Sequence, residues 1–162
     1  MILTGALAVG GWAATGTGAR AEAARPATDP TRTSLHYEVD FKAGSGRIYA
    51  MQLDSTLFAA MTGRSATIDP AVGGAFALFG GVIVGRNVEL VPGLRIVQAW
   101  RPTYWEAGFF SMVRFALGGK GPQARLVLDH WGFPSGDADS LDSGWKEHYL
   151  DPMARYLART VG

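Results

Sequence analysis

From Leu35 the chain alternates: Leu35, Tyr37, Val39 and Phe41 are apolar while His36, Glu38 and Asp40 are polar, the period-two pattern of a half-buried strand. The period then changes. Between Ser45 and Met61, Ile48, Tyr49, Met51, Leu53, Leu57, Phe58 and Met61 fall mostly at helical intervals, and Asp54-Ser55 reads as a cap between two short helices. Gly63 ends the stretch. From Ala75 the strand pattern returns: AFALF, VIVGRNVEL, a Pro92-Gly93 turn, LRIVQAWR, FFSMVRFAL, a GGKGP turn and QARLVLDH predict an antiparallel meander. Last, Asp139 to Arg159 places Leu141, Trp145, Tyr149, Met153 and Tyr156 at steps of three and four, one long helix with an apolar stripe. Pro152 predicts a kink in it, because a proline inside a helix removes a backbone donor and crowds the preceding turn, at about 3 kcal/mol. Strand, helix pair, meander and long amphipathic helix together describe an α+β domain in which a curved antiparallel sheet grips a helix.

Composition narrows the partners. The chain has 162 residues, 48% of them hydrophobic, enough for one domain with a sizeable core. Fifteen Lys and Arg stand against fourteen Asp and Glu without a basic cluster, so no nucleic-acid partner is expected. No cysteine is present, which removes disulfides, thiolate nucleophiles and sulfur-ligated zinc and leaves the compartment open.

The N-terminus speaks for export. Residues 1–18, MILTGALAVGGWAATGTG, are uncharged and apolar or small, and Ala21-Glu22-Ala23 offers a small-x-small cleavage pattern. Residues 1–23 are thus expected to be an export signal, with a processed product beginning at Ala24. The run is short and glycine-rich beside the about 20 strongly apolar residues of a membrane span. No Lys or Arg precedes it, and LTGALA is the kind of segment that follows a twin-arginine pair, so the expected start lies upstream. Residues 24–33, ARPATDPTRT, read as a linker and 34–160 as the folded domain. The localisation that follows is periplasmic or secreted if the signal acts, and cytoplasmic otherwise.

The sequence RNVELVPGLRIVQAWR poses the functional question. Ile96, Gln98 and Trp100 share one face of its second strand, with Val97, Ala99 and Arg101 on the other. A tryptophan beside a glutamine either belongs to the core or lines a pocket.

The segments GGAFALFGGVIVGRNVELVPGLRIVQAWR, WEAGFFSMVRFAL, LDHWGFP and GWKEHYLDPMARYL, taken in order, resemble the START-like (SRPBCC) proteins of the heat-shock-protein-90 ATPase activator type, in particular their C-terminal-domain homologues. The resemblance covers roughly residues 35 to 158. It implies a helix-grip fold, in which the sheet wraps the C-terminal helix and an apolar cavity often lies between them. In such a fold Ile96, Gln98 and Trp100 look inward. The same parity puts Phe76, Leu78, Val113, Phe115, Leu117, Leu126, Leu128 and His130 on that face, with Trp145 and Tyr149 meeting them from the helix. Each aromatic there can simply fill the interior, burying about 150 to 250 Å². Collectively, Gln98 and His130 among aromatics have the composition of a ligand pocket. The expected ligand-binding set is Phe76, Leu78, Gln98, Trp100, Val113, Phe115, Leu128, His130, Trp145 and Tyr149. Relatives often place a polar residue where this chain has Ala77, Gly80, Val84 and Trp131. That departure marks either an enlarged apolar mouth or a surface for a membrane or a partner.

Catalysis finds weaker support. Asp129-His130, with Glu147 and His148, are the candidate acid-base groups, but adjacent strand residues face opposite ways, so Asp129 is not expected to orient His130. No GxSxG elbow occurs, and three scattered histidines make no metal site. GSGR and GGKGP lack the spacing of a phosphate loop. No catalytic residue, metal or cofactor is therefore expected. The preferred expectation is an exported domain binding a small hydrophobic ligand. The alternatives are an ATPase-activating co-chaperone or interaction module, in contact with a chaperone or a membrane surface, and a cyclase- or hydrolase-like enzyme using the same cavity.

Overall fold

The computed structural model describes residues 29–160. The expected signal (1–23) and the first part of the expected linker lie outside them. Seven strands form one antiparallel sheet: β1 (Ser34–Phe41), β2 (Thr67–Ile68), β3 (Ala75–Leu78), β4 (Ile83–Val91), β5 (Arg95–Pro102), β6 (Ser111–Gly118) and β7 (Ala124–Trp131). Their order is β1-β7-β6-β5-β4-β3-β2. Strands β3 to β7 are the expected meander, and β1 closes on β7 with Leu35 opposite His130. The connection from β1 to β2 therefore runs from one sheet edge to the other. It does so through α1 (Ser45–Leu53) and α2 (Ser55–Thr62).

Local chemistry punctuates these elements as expected. The Asp54 carboxylate caps α2 by accepting from the Leu57 N–H at 2.8 Å. Gly63 ends α2 in the left-handed region, at φ 71°, where a side chain would be strained. The two-residue β2 carries too few positions to announce itself by alternation, and the sequence pattern missed it.

Strand parity decides the core. Ile96, Gln98 and Trp100 of β5, Val113, Phe115 and Leu117 of β6, and Leu126, Leu128 and His130 of β7 are all buried on one face. The opposite face is charged. There Arg125 pairs with Asp40 of β1 at 2.8 Å, and Arg114 with Asp129 at 2.6 Å. In β4 a bulge between Asn87 and Glu89 inserts Val88, which stays 48% exposed, and shifts the parity of everything after it.

The C-terminal helical run covers 138–160, 23 residues in all. It is α3 (Ala138–Gly144), a π-helical stretch Trp145–Leu150, and α4 (Asp151–Thr160). Pro152 predicts a kink in this run. The irregularity lies before the proline, where the Asp151 N–H bonds the Lys146 carbonyl five residues back. That wider turn relieves the clash a proline ring makes with the carbonyl four residues earlier. Asp151 keeps helical angles, φ −64° and ψ −44°, so the run continues.

Candidate functional site

Between the inner sheet face and the C-terminal helical run lies a cavity of about 420 Å³. Trp100 and Pro102 of β5 and His130 of β7 line it from the sheet, and Trp145, His148 and Tyr149 from the π-helical stretch. Phe79 and Ile83 wall it beside the β3–β4 turn. Ser140 and Ser143 of α3, Arg64 after α2, and Tyr104 complete it. Its size falls within the roughly 300 to 1,000 Å³ of small-molecule pockets.

The centre of this wall is a stack of two indoles. The Trp100 and Trp145 rings lie 4.7 Å apart at 29°, and Tyr149 meets Trp145 at 4.9 Å. Trp145 opens the widened stretch and Tyr149 follows four residues later, so the π-helical winding sets them side by side. Behind them Phe115 stacks on Tyr149 at 5.8 Å.

Two chains of hydrogen bonds hold the stack. In the first, Trp100 Nε1–H donates to Gln98 Oε1 at 2.8 Å, and Gln98 Nε2–H donates to Asn87 Oδ1 at 2.8 Å. Asn87 Nδ2–H then donates to the carbonyls of Asp69 and Ala71. In the second, Trp145 Nε1–H donates to His130 Nδ1 at 2.9 Å, and His130 Nε2 meets Ser111 Oγ at 2.7 Å. An indole nitrogen can only donate, so Nδ1 is the acceptor and the neutral ring carries its proton on Nε2. Ser111 passes the chain to the Trp100 carbonyl at 3.1 Å. Burial pushes the His130 pKa down to about 4. Protonating Nδ1 would also set two donors against each other. This histidine is a neutral, fully engaged structural group.

Of the expected ligand-binding residues, Trp100, His130, Trp145 and Tyr149 line the cavity. Phe76, Leu78, Gln98, Val113, Phe115 and Leu128 are buried in the packed interior and do not line it. Parity assigns the eight strand residues to the inner side and the helix brings Trp145 and Tyr149 to them, but only depth between sheet and helix separates wall from filling. Sequence reasoning missed Phe79, Arg64, Tyr104 and the two serines. For Phe79 a signal existed: Gly80-Gly81 directly follows a strand. Among the described residues Phe79 is the one non-glycine with positive φ, 55°, and its ring packs edge-on to Phe58 at 5.2 Å.

The candidate acid-base groups do not converge. Asp129 faces the outer side, where it meets His36 Nδ1 at 2.6 Å and Arg114. Burial alone would raise its carboxyl, yet the hydrogen bonds from His36 and Arg114 hold it below the ordinary value. His148 lines the cavity without Glu147. Nor do Ala77, Gly80, Val84 and Trp131 make one patch. Ala77 and Val84 pair across β3 and β4, whereas Trp131 lies on β7, with β5 and β6 between. The exposed aromatics gather instead in the β5–β6 loop, at Tyr104, Phe109 and Phe110. That loop is pinned by Trp105, whose buried indole donates to the Asp137 carboxylate.

Comparison with known proteins adds a lineage. Residues 42–158 match the family model described as Activator of Hsp90 ATPase homolog 1-like protein. An activator of 90 kDa heat shock protein ATPase homolog from Dictyostelium discoideum is 32% identical over 128 residues, 78% of this chain and 33% of that protein. The human homolog 1 of that activator is 26% identical, over 68% of this chain and 33% of its own length. The chain thus spans about a third of the length of these curated relatives. Among solved structures, an HSP90 activator from Plasmodium falciparum aligns with a TM-score of 0.75 at 23% identity, covering 78% of this chain and 97% of that one. CalU16 from Micromonospora echinospora aligns at 0.66 and 22% identity, covering 77% and 76%. At these identities the structural matches speak for the fold.

Proposed function

The chain belongs to the Activator of Hsp90 ATPase homolog 1-like family, and from that premise we propose that it is an exported ligand-binding domain holding a small hydrophobic molecule between sheet and C-terminal helix. The observation that carries the reading is the cavity wall. Its indole donors are spent on Gln98 and His130, so Trp100 and Trp145 present apolar ring surface and no free donor to an occupant. Mostly apolar walls with a few polar groups at one side are how small-molecule sites are built. An acid-base reaction in the cavity has less support, because Asp129 and His130 face opposite ways and His130 is neutral and doubly bonded.

The test is native mass spectrometry of the protein taken from its host's envelope fraction, then denaturation to weigh what is released. An apolar molecule at one copy per chain, on a product starting near Ala24, is the expected result. Full-length chain found only in the cytosol would overturn the export half, and an envelope protein that neither carries nor takes up an apolar molecule would overturn the binding half.

One observation favours a second reading, a co-chaperone that contacts a heat-shock ATPase. Tyr104, Phe109 and Phe110 stand 62%, 42% and 45% exposed on one anchored loop, and exposed aromatics of this kind suit a protein contact. Faster ATP turnover by a 90 kDa heat shock protein on adding the chain, lost on replacing Phe109 and Phe110 by Ser, would support it.

A further inference from the structure

The cavity's charge is as selective as its shape. Arg64 lines it and no Asp or Glu does. Elsewhere on the surface the guanidinium groups of Arg95, Arg114 and Arg125 are committed to carboxylates. The Arg64 guanidinium has no hydrogen-bond or ion-pair partner among the described residues. Only its backbone is engaged, with Thr62 just before it. The hydroxyls of Ser140 and Ser143 and the imidazole of His148 belong to the same lining. The buried end offers nothing comparable: the Trp100, Trp145 and His130 ring nitrogens are occupied, and the Tyr149 hydroxyl donates away from the cavity to Gln52. A ligand's polar group therefore finds partners only among the exposed lining residues, and the one fixed charge there is positive.

The geometry points to an amphipathic organic anion as the occupant, with a flat apolar or aromatic body against Trp100 and Trp145 and an acidic head at the Arg64 guanidinium. This rests on the reading of the cavity as a ligand site. A guanidinium meets a carboxylate, sulfonate or phosphate head with paired, charge-assisted hydrogen bonds, which a neutral head cannot match. Because Arg64 is exposed, the preference it confers is moderate and weakens with salt.

The experiment titrates the protein with naphthylacetate, naphthylethanol and naphthylethylamine, which share a ring system and differ in the charge of the head. Quenching of tryptophan emission reports occupancy beside Trp100 and Trp145. The anion is expected to bind about fivefold more tightly than the alcohol at low salt, and the amine most weakly. Arg64→Gln should bring the anion down to the alcohol's affinity while leaving the alcohol unchanged, and Arg64→Glu should favour the amine. The exposed Arg64 side chain makes no hydrogen bond or ion pair among the described residues, so these variants should keep the wild-type unfolding midpoint. Equal binding of the three heads, or an anion preference that survives in Arg64→Gln, would overturn the inference and leave the cavity reading intact. Saturable binding of none of them would overturn both.

Discussion

Trp100 donates its indole N–H to the side-chain oxygen of Gln98, two residues earlier on the same face of β5, at 2.8 Å. The glutamine that looks like a ligand-orienting group is thereby spoken for. Its amide nitrogen continues to Asn87, so two buried side chains in series link the cavity wall to the loop at Asp69 and Ala71.

Gln98→Met keeps volume but buries two unpaired partners, the Trp100 N–H and the Asn87 oxygen. At about 1 to 3 kcal/mol for each orphaned group, a total loss of about 2 to 6 kcal/mol is expected in urea unfolding. A change below about 0.5 kcal/mol would show that this chain of bonds is not made in solution.

Trp100 is both core and wall: it is 4% exposed, stacks on Trp145, and touches Phe76 and His130 as well as the cavity. Trp100→Ala is therefore expected to cost about 3 to 5 kcal/mol and to abolish probe binding together. Trp100→Phe retains a ring against Trp145 and should lose less of both, measured by denaturant midpoint and by titration with a naphthyl probe.

Gly85 lies opposite Trp100 in the ladder, and a Cβ there would run into the Ala99 carbonyl and the Phe76 ring. Gly85→Ala must push β4 off β5 or turn Phe76 out of the core. A destabilisation of about 1 to 3 kcal/mol is expected in thermal or urea unfolding. Wild-type stability would mean that the strands are not so closely set.

The Phe79 backbone is left-handed, so exchanging its side chain separates packing from strain. Phe79→Ala loses the ring from Phe58 and Tyr149 and keeps the strained angle. Phe79→Gly loses the ring and releases the strain. The glycine variant should therefore be the more stable of the two by about 1 kcal/mol, the reverse of the usual order. Urea midpoints of the pair decide it.

The two described histidines of the sheet act oppositely on stability with pH. His130 has a folded pKa of about 4 against an unfolded 6.5. In that window the unfolded chain takes a proton that the folded chain refuses, so stability is complete above pH 6.5 and falls as pH drops toward 4. The loss is on the order of 3 kcal/mol. His36 is raised by its hydrogen bond to Asp129, so its contribution is complete below 6.5 and is lost as pH rises through the folded value. His130→Gln should flatten the acid side of a stability profile and His36→Gln the neutral side. An acid limb unchanged in His130→Gln would mean that the buried ring is free to protonate.

Much of the fold is legible because period two ties position to burial. Ile96, Gln98 and Trp100, and then Val113 to Leu117, had to share a face whichever way the sheet turned. Other features depend on neighbours remote in sequence. The bulge at Val88 is set by pairing with β5, and β2 is two residues long. Pro152 announces an irregularity, but whether a helix breaks, bends or widens depends on what it packs against, and here a π-helical turn carries Trp145 onto Trp100.

By itself, then, the order of residues determined the antiparallel meander, the long closing helix, the inner face and the family, since these follow from local periodicity and from matching segments. Tertiary structure alone decided which inner residues line a cavity and which fill the core. It decided that Gln98 and His130 serve the two tryptophans, and that Arg64, just past the end of α2, and Phe79, directly after β3, stand at the site. Depth, hydrogen-bond partner and charge environment are relations between elements far apart in the chain, and a one-dimensional pattern carries no term for them.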